Sequence, residues 1–425
     1  MIWIYRLLYP CFIGILGLLS PFSKKLRGGL FGRLGLNTRL SRAVDSWKPQ
    51  EKKVWIHFSS AGEFEQALPV LDSIKASSAT TRIVLTYFSP SAERAIEYEI
   101  KRRQSYHLSC PWDFADYSPF DFPWTIRKFL NILQPSCFTA IHRELWPELL
   151  FECRLRNIPC YLIGAYFPPS SRTGSLFYRF CLNHLNKIAV VDEPSRQKLI
   201  DMNPALSISV LGDPRIERVL FRKKHFSSSG AWKNLFQGQT VLVGASLWDE
   251  DFDVLLNSLI EMGEKTSHLR VVIVPHEPNE GRINSWSDEL KAIGFNVRKW
   301  SDWIKSPEPQ SHLIVDQVGL LAELYSVATC VLVGGSFKKR VHNVLEPLVY
   351  HCGIVTGPFI SNSSEATELA KQEILSVVSN SSELTRALAG FLNSSEKREE
   401  IANKAIHFLS QKEGVSQNHV SMILN

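Results

Sequence analysis

Short apolar runs alternate with amphipathic stretches along most of the chain. Val54-Trp55-Ile56-His57-Phe58 leads into a helical pattern ending near Lys75, and Arg82-Ile83-Val84-Leu85-Thr86 into another from Pro90 to about Arg103. Cys137–Ile141, Cys160–Ile163, Lys187–Val191 and Ile208–Leu211 continue the series. Such runs, apolar without alternation, suit strands buried on both faces, and their repetition with helices predicts a parallel sheet. The pattern stops between Phe221 and Gln239, in a polar stretch containing Ser227-Ser228-Ser229-Gly230, and restarts at Thr240–Gly244. Leu269–Val274, Leu313–Asp316, Cys330–Gly334 and Gly353–Thr356 form a second series. The expectation is an α/β protein of two Rossmann-like domains facing across a cleft, at 43–220 and 240–425, with a linker at 221–239. Ligands of such sheets bind beyond the carboxyl ends of the strands, so each strand-to-helix turn is a possible site.

The first 42 residues follow another pattern. Leu7–Phe22 is uncharged and mostly apolar, with Arg6 before it and Lys24, Lys25 and Arg27 directly after. Pro10, Gly14 and Gly17 weaken it as a span, so an interfacial helix and a spanning one both remain open, as does a buried first helix of the globular domain. No small-residue cleavage site follows. With Arg33, Arg39 and Arg42 the segment is a basic block suited to anionic lipid. Its charge downstream of the apolar run predicts an inner-membrane location with the domains on the cytoplasmic side. The chain's 425 residues fit two domains rather than one core, and 44% hydrophobic with 21% charged residues leaves no region committed to disorder. Eight cysteines without a C-x-x-C pair fit a reducing compartment.

Three turns carry candidate chemistry. Ser60-Ala61-Gly62-Glu63 follows the first apolar run; Ser-x-x-Glu is a capping box, and an ionised Glu63 at a helix amino terminus would also serve as a general base. Gly244 to Asp251 repeats the arrangement, Ser246 with Asp249 reading as a cap or as a phosphate site. The acids Asp249, Glu250 and Asp251 in a first helical turn need no metal to explain them. The third turn runs from Gly334-Gly335-Ser336 through Lys338, Lys339 and Arg340 to His342-Asn343 and Glu346. It would seat a nucleotide phosphate against the cations and a ribose against Glu346, or form a solvated basic loop. No G-x-x-x-x-G-K-[ST], strand-coupled G-x-G-x-x-G, H-E-x-x-H or Cys/His cluster is present, so neither an ATPase, a dehydrogenase nor a metal enzyme is indicated.

In order and spacing these blocks resemble the 3-deoxy-D-manno-octulosonic acid (Kdo) transferases that build bacterial lipopolysaccharide. His57-Phe58-Ser59-Ser60-Ala61-Gly62-Glu63 is similar to that family's H-S-V-S-x-G-E, and Glu144-Leu145-Trp146-Pro147 to the end of E-T-E-L-W-P. Gly212-Asp213-Pro214-Arg215 resembles G-N-x-K/R, Val274-Pro275-His276-Glu277 resembles A-P-H-E, and Asp316–Tyr325 resembles D-x-x-G-x-L-x-x-L-Y. The stretch from Gly334 to Pro347 and on to Gly357-Pro358 matches most closely.

The resemblance implies a GT-B fold and inverting transfer of Kdo from CMP-Kdo to a lipid A precursor, with no metal or other cofactor and no nucleic-acid partner. It implies Glu63 as the base and Ser60, Gly62, Glu144 and Arg215 on the acceptor side. Ser246, His276, Gly334, Gly335, Ser336, His342, Asn343 and Glu346 would lie on the donor side. The sequence departs from the family pattern at several points. N-A-R-x-S-x-R-S reads Gly164 to Ser171 without its arginines, E-T-E reads His142-Arg143-Glu144, S-T-H-x-G-E-E reads Ser246 to Asp251, and G-G-H-N reads Arg340-Val341-His342-Asn343. Two alternatives stand beside this reading: a GT-B enzyme using a UDP-sugar, and a membrane-bound scaffold that keeps the fold without the activity.

Overall fold

A computed structural model describes residues 1–168, 176–226, 231–263 and 269–424. The chain divides into two compact units, Met1–Arg218 with Lys412–Asn425, and Val219–Gln411. The first carries β1 (Lys53–Phe58), β2 (Arg82–Tyr87), β3 (Phe114–Tyr117), β4 (Cys137–Ile141), β5 (Cys160–Ala165), β6 (Lys187–Val190) and β7 (Ile208–Val210). They form one parallel sheet in the order β3-β2-β1-β4-β5-β6-β7. The second carries β8 (Thr240–Leu247), β9 (Leu269–Pro275), β10 (Val297–Lys299), β11 (His312–Ile314), β12 (Cys330–Val333), β13 (Gly353–Thr356) and β14 (Leu375–Val377). Their order is β10-β11-β9-β8-β12-β13-β14, again parallel. The strand order reverses between β1 and β4 in the first sheet and between β8 and β12 in the second, where β11 is also inserted between β9 and β10; at the β1/β4 and β8/β12 points the following loops part to leave a crevice.

All six residues of β1 are buried, which explains why the strand is apolar apart from Lys53 and His57. Val54, Ile56 and Phe58 face the helix Ala61–Ser77 and its Phe64, Leu68 and Leu71. Trp55 points the other way, against Phe129 and Phe138, and donates its ring N–H to Thr86 Oγ1 at 2.8 Å. Strands β3, β10 and β14 were not expected from the pattern. They are short edge strands with partly exposed residues, so the continuous apolar signal of a central strand is missing.

Two expected boundaries shift. The helix Val415–Leu424, expected in the second domain, packs Val420, Met422 and Ile423 into the core around Val70 and Ile74 of the first, and Ser416 N donates to Glu217. The expected linker is largely helical: Arg215–Phe226 runs into it, with Ile216 and Val219 buried one helical turn apart, and Ala231–Phe236 is a 3-10 helix. Ser227-Ser228-Ser229-Gly230, and Pro169, Ser170 and Ser171 of the arginine-less loop, lie outside the described residues.

Ile2–Leu19 is a helix with two unlike faces. Arg6 reaches Glu148 with two hydrogen bonds, Tyr9 lies against Phe122, and its hydroxyl accepts from Asp121 N. On the other side Trp3, Leu7 and Leu18 are exposed, as is Phe22 in the 3-10 turn Ser20–Phe22 that follows, at 88%. Two members of the basic block are tied to the first unit. Arg33 is buried between Phe88, Tyr117 and Phe120 and donates to Ser118 O, while Arg39 pairs with Asp116 at 2.6 Å. Arg33 is thereby withdrawn from the surface, while Arg39 stays exposed beside its partner.

Candidate active site

In the first unit the turns after β1, β4 and β5 bring a compact polar group together. Glu63 lies in the first turn of the helix Ala61–Ser77, and its Oε2 accepts the amide hydrogens of Ser59 at 2.5 Å and Ser60 at 3.1 Å, as the acid of a capping box does. Its Oε1 has no hydrogen-bond partner among the described residues. Burial raises the Glu63 pKa, against the two amides and the charge of Arg143, which lower it. A carboxylate shifted upward while one oxygen stays open is a better proton acceptor near neutral pH than an ordinary glutamate. Gly62 beside it has open space where a side chain would stand.

Glu144 completes a carboxylate pair. Burial, and then the charge of Glu63, push it up to about 7. Trp146 donates its ring N–H to Glu144 Oε2 at 3.2 Å, and His57 Nε2 lies 3.8 Å from the same oxygen. His57 is fully buried on β1, with Nδ1 bonded to Thr86, and burial pushes it down to about 3, so it stays neutral. The remaining cation expected here is committed: Arg215 binds Asp213 at 2.6 and 2.9 Å. Asp213 in turn accepts from Gln66, which also donates to Gly164 O. The expected acceptor role of Arg215 therefore meets a guanidinium already neutralised by its neighbour two residues back.

In the second unit Ser246 occupies a bulge at the end of β8, with left-handed φ of 55°. Gly334, at the end of β12, lies so close that a Cβ would come within 2.4 Å of Ser246 O. Gly335, at φ 81°, would meet Arg340 O and the His342 ring. Both glycines are therefore required by backbone contact alone. Ser336 is buried and ties the turn to the next strand, donating to Val333 O and accepting from Gly357 N at 2.7 Å.

The organiser of this turn is a residue read from sequence only as part of an acidic cluster. Asp251 accepts from Trp248 N at 2.9 Å, Gly335 N at 2.6 Å and Phe337 N at 3.1 Å, linking the β8 turn to the glycine turn. Asp249 and Glu250 point outward to Arg282 and Lys338. Trp248, His276 and His342 form a stack: His276 and His342 lie 4.4 Å apart and within 8° of parallel, Trp248 tilts against His276, and Lys338 covers the Trp248 ring. Trp248 donates its ring N–H to His342 Nε2 at 3.2 Å, and burial pushes His342 down to about 4. Neutral His342 thus carries its hydrogen on Nδ1.

Two donor-side expectations meet other contacts. Glu346 pairs with Arg222 at 2.8 Å, so its carboxylate is engaged by a side chain of the same unit. The Asn343 side chain accepts from Leu345 N and shapes the entry to the next helix. Among the described residues no group of three or more His, Cys, Asp or Glu could hold a metal ion.

A model of the family described as 3-deoxy-D-manno-octulosonic-acid transferase (kdotransferase) matches residues 32–218. The 3-deoxy-D-manno-octulosonic acid transferase of Haemophilus influenzae is 27% identical over 97% of this chain and 94% of its own length. That of Aquifex aeolicus is 25% identical over 82% of this chain and 88% of its own. Among solved structures, the UDP-GlcNAc 2-epimerase of Neisseria meningitidis superposes with a TM-score of 0.62 at 15% identity, covering 88% of this chain and 99% of that one. At that identity the likeness is one of fold, GT-B, alone. The motifs, the family model matched over residues 32–218 and relatives spanning nearly the whole chain agree in likening this chain to the 3-deoxy-D-manno-octulosonic acid transferases, a family of glycosyltransferases.

Proposed function

We propose that this enzyme transfers Kdo from CMP-Kdo to a lipid A precursor with inversion, and that Glu63 is its general base. The observation that carries the reading is the division of labour within one carboxylate: Oε2 is fixed by two backbone amides and Oε1 remains open. The acceptor hydroxyl gives its proton to Oε1 as its oxygen bonds to the anomeric carbon of Kdo; the bond from that carbon to the CMP phosphate breaks, and CMP leaves with the electron pair. Arg340, whose charge acts on both His276 and His342, and the glycine turn beside it suit the departing phosphate. The outward apolar face of Ile2–Leu19, with the opposite face tied to the first unit through Arg6 and Tyr9, supports a helix lying in the membrane surface, on the cytoplasmic side by its flanking charge.

The test is transfer from CMP-Kdo to a tetraacylated lipid A precursor by the purified full chain in detergent with EDTA, comparing wild type with Glu63→Gln and Glu63→Ala. Glutamine keeps an acceptor oxygen for the capping amides, so Glu63→Gln is expected to fold as wild type while kcat falls by about 100-fold or more. Glu63→Ala loses the cap as well, about 1 kcal/mol. A Glu63→Gln enzyme turning over within about threefold of wild type would remove Glu63 from the chemistry. Competition by CMP but not UMP separates this donor from a UDP-sugar.

A further inference from the structure

Arg143 follows β4 in the turn where the family's E-T-E has become His142-Arg143-Glu144. It is half-buried, yet among the described residues it makes no hydrogen bond and no ion pair. That sets it apart from the arginines around it. Arg6, Arg33, Arg39, Arg103 and Arg218 are each bonded to a carboxylate or a carbonyl, and Arg215 is held by Asp213. The charge of Arg143 nevertheless reaches Glu63 and Glu144, lowering the pKa of both. His142, the other basic residue of the turn, is buried and pushed down to about 4, first by burial and then by Arg143 itself, so it carries no charge at neutral pH.

A site built on two carboxylates repels an anion unless a cation stands beside them. Arg143 is the cation acting on both, and among the described residues its donors are uncommitted. A planar guanidinium with free N–H groups binds a phosphate or carboxylate through two parallel hydrogen bonds. We propose that Arg143 is the anion-recognition residue of the first unit, binding a phosphate monoester or sugar carboxylate of the substrate beside the Glu63–Glu144 pair. The inference rests on the transferase reading above. Arg143 makes no contact with the reacting hydroxyl; it positions the substrate by its anion and keeps that anion from being expelled by the two acids.

The experiment uses the full chain as wild type, Arg143→Ala and Arg143→Lys, with CMP-Kdo and either a bisphosphorylated tetraacyl acceptor or the same acceptor lacking the phosphate of its distal sugar. Arg143→Ala is expected to raise one KM by about 10- to 100-fold with kcat changed less, and Arg143→Lys to recover part of the loss. A rise in acceptor KM confined to the bisphosphorylated acceptor assigns the anion to the acceptor phosphate. A rise in donor KM assigns it to the sugar carboxylate. Both KM values unchanged in Arg143→Ala would overturn the proposal. Should the wild type transfer nothing, which defeats the transferase reading by itself, titration with inorganic phosphate still decides. A Tm rise in wild type and Arg143→Lys that is absent in Arg143→Ala upholds the site, and equal rises in all three refute it.

Discussion

Asp251→Asn separates a structural carboxylate from an acidic surface cluster. Asp251 is fully buried and receives three amide hydrogens, from Trp248 and Gly335 on Oδ2 and from Phe337 on Oδ1. Asparagine keeps one acceptor oxygen. With that oxygen in the place of Oδ2, the amide group faces Phe337 N–H, donor against donor, and its own hydrogens meet no acceptor. One orphaned buried donor costs about 1–3 kcal/mol, and the loss of charge from the other two bonds about 0.5 kcal/mol each. Burial already works against the ionised carboxyl, as its raised pKa shows, so part of this cost is returned and the net is about 2 kcal/mol. That corresponds to roughly 30-fold faster opening of the glycine turn. Hydrogen exchange followed by mass spectrometry reads it directly: the peptide spanning 330–345 should exchange about 30-fold faster in Asp251→Asn, while β1 in the first unit is unchanged, and CMP affinity should fall with it. Exchange across 330–345 within about threefold of wild type, at unchanged CMP affinity, would show that this carboxylate does not hold the two turns together.

The Glu144 carboxyl makes stability pH-dependent. Its pKa rises from 4.5 in the unfolded chain to about 7 in the fold, so the folded state keeps a proton the unfolded state gives up, and wild type loses stability as pH rises from about 4.5 to 7. Glu144→Gln should remove that slope and be more stable than wild type at pH 8 by about 3 kcal/mol in urea titrations; a stability difference that stays constant from pH 4.5 to 8 contradicts it. Gly334→Ala places a Cβ 2.4 Å from Ser246 O, between two pieces of backbone that cannot turn aside, and should abolish CMP binding measured by calorimetry while leaving the far-ultraviolet circular dichroism of the sheets intact. Unchanged CMP affinity in Gly334→Ala would show that the β8 and β12 turns need not approach this closely.

Central strands were legible because both faces are buried and their sequences are therefore mostly apolar, throughout in β12 and apart from Lys53 and His57 in β1. Edge strands such as β14 lack that signature, since Ser376 and Val377 face outward in part. The helix Val415–Leu424 packs on the helix Ala61–Ser77, more than 300 residues away, and no local pattern encodes such a distance. The site shows the same division. Small residues directly after a strand marked Ser60 to Glu63 and Gly334 to Ser336, because backbone turns leave local signatures. Which of Asp249, Glu250 and Asp251 turns inward depends on amides 84 and 86 residues further on, and the pairing of His57 with Glu144 depends on β1 lying beside β4. Neither dependence is local.

Glu63 shows why a motif can support two readings at once. Capping needs one oxygen near the amides of the preceding turn; proton abstraction needs one oxygen open to the crevice. A carboxylate has two, and placement at the third position of a helix that follows a central strand supplies both conditions from the same backbone geometry. The cap orients the side chain without consuming it, since the amides of Ser59 and Ser60 bind the same oxygen. Structural fixation is thus what a base in this position requires: an unheld glutamate would spend rotamer entropy to reach the hydroxyl, whereas this one has been ordered by folding. The two readings of Ser-x-x-Glu therefore make opposite predictions only for alanine and glutamine compared side by side, because glutamine retains the oxygen that caps and removes the basicity that takes a proton.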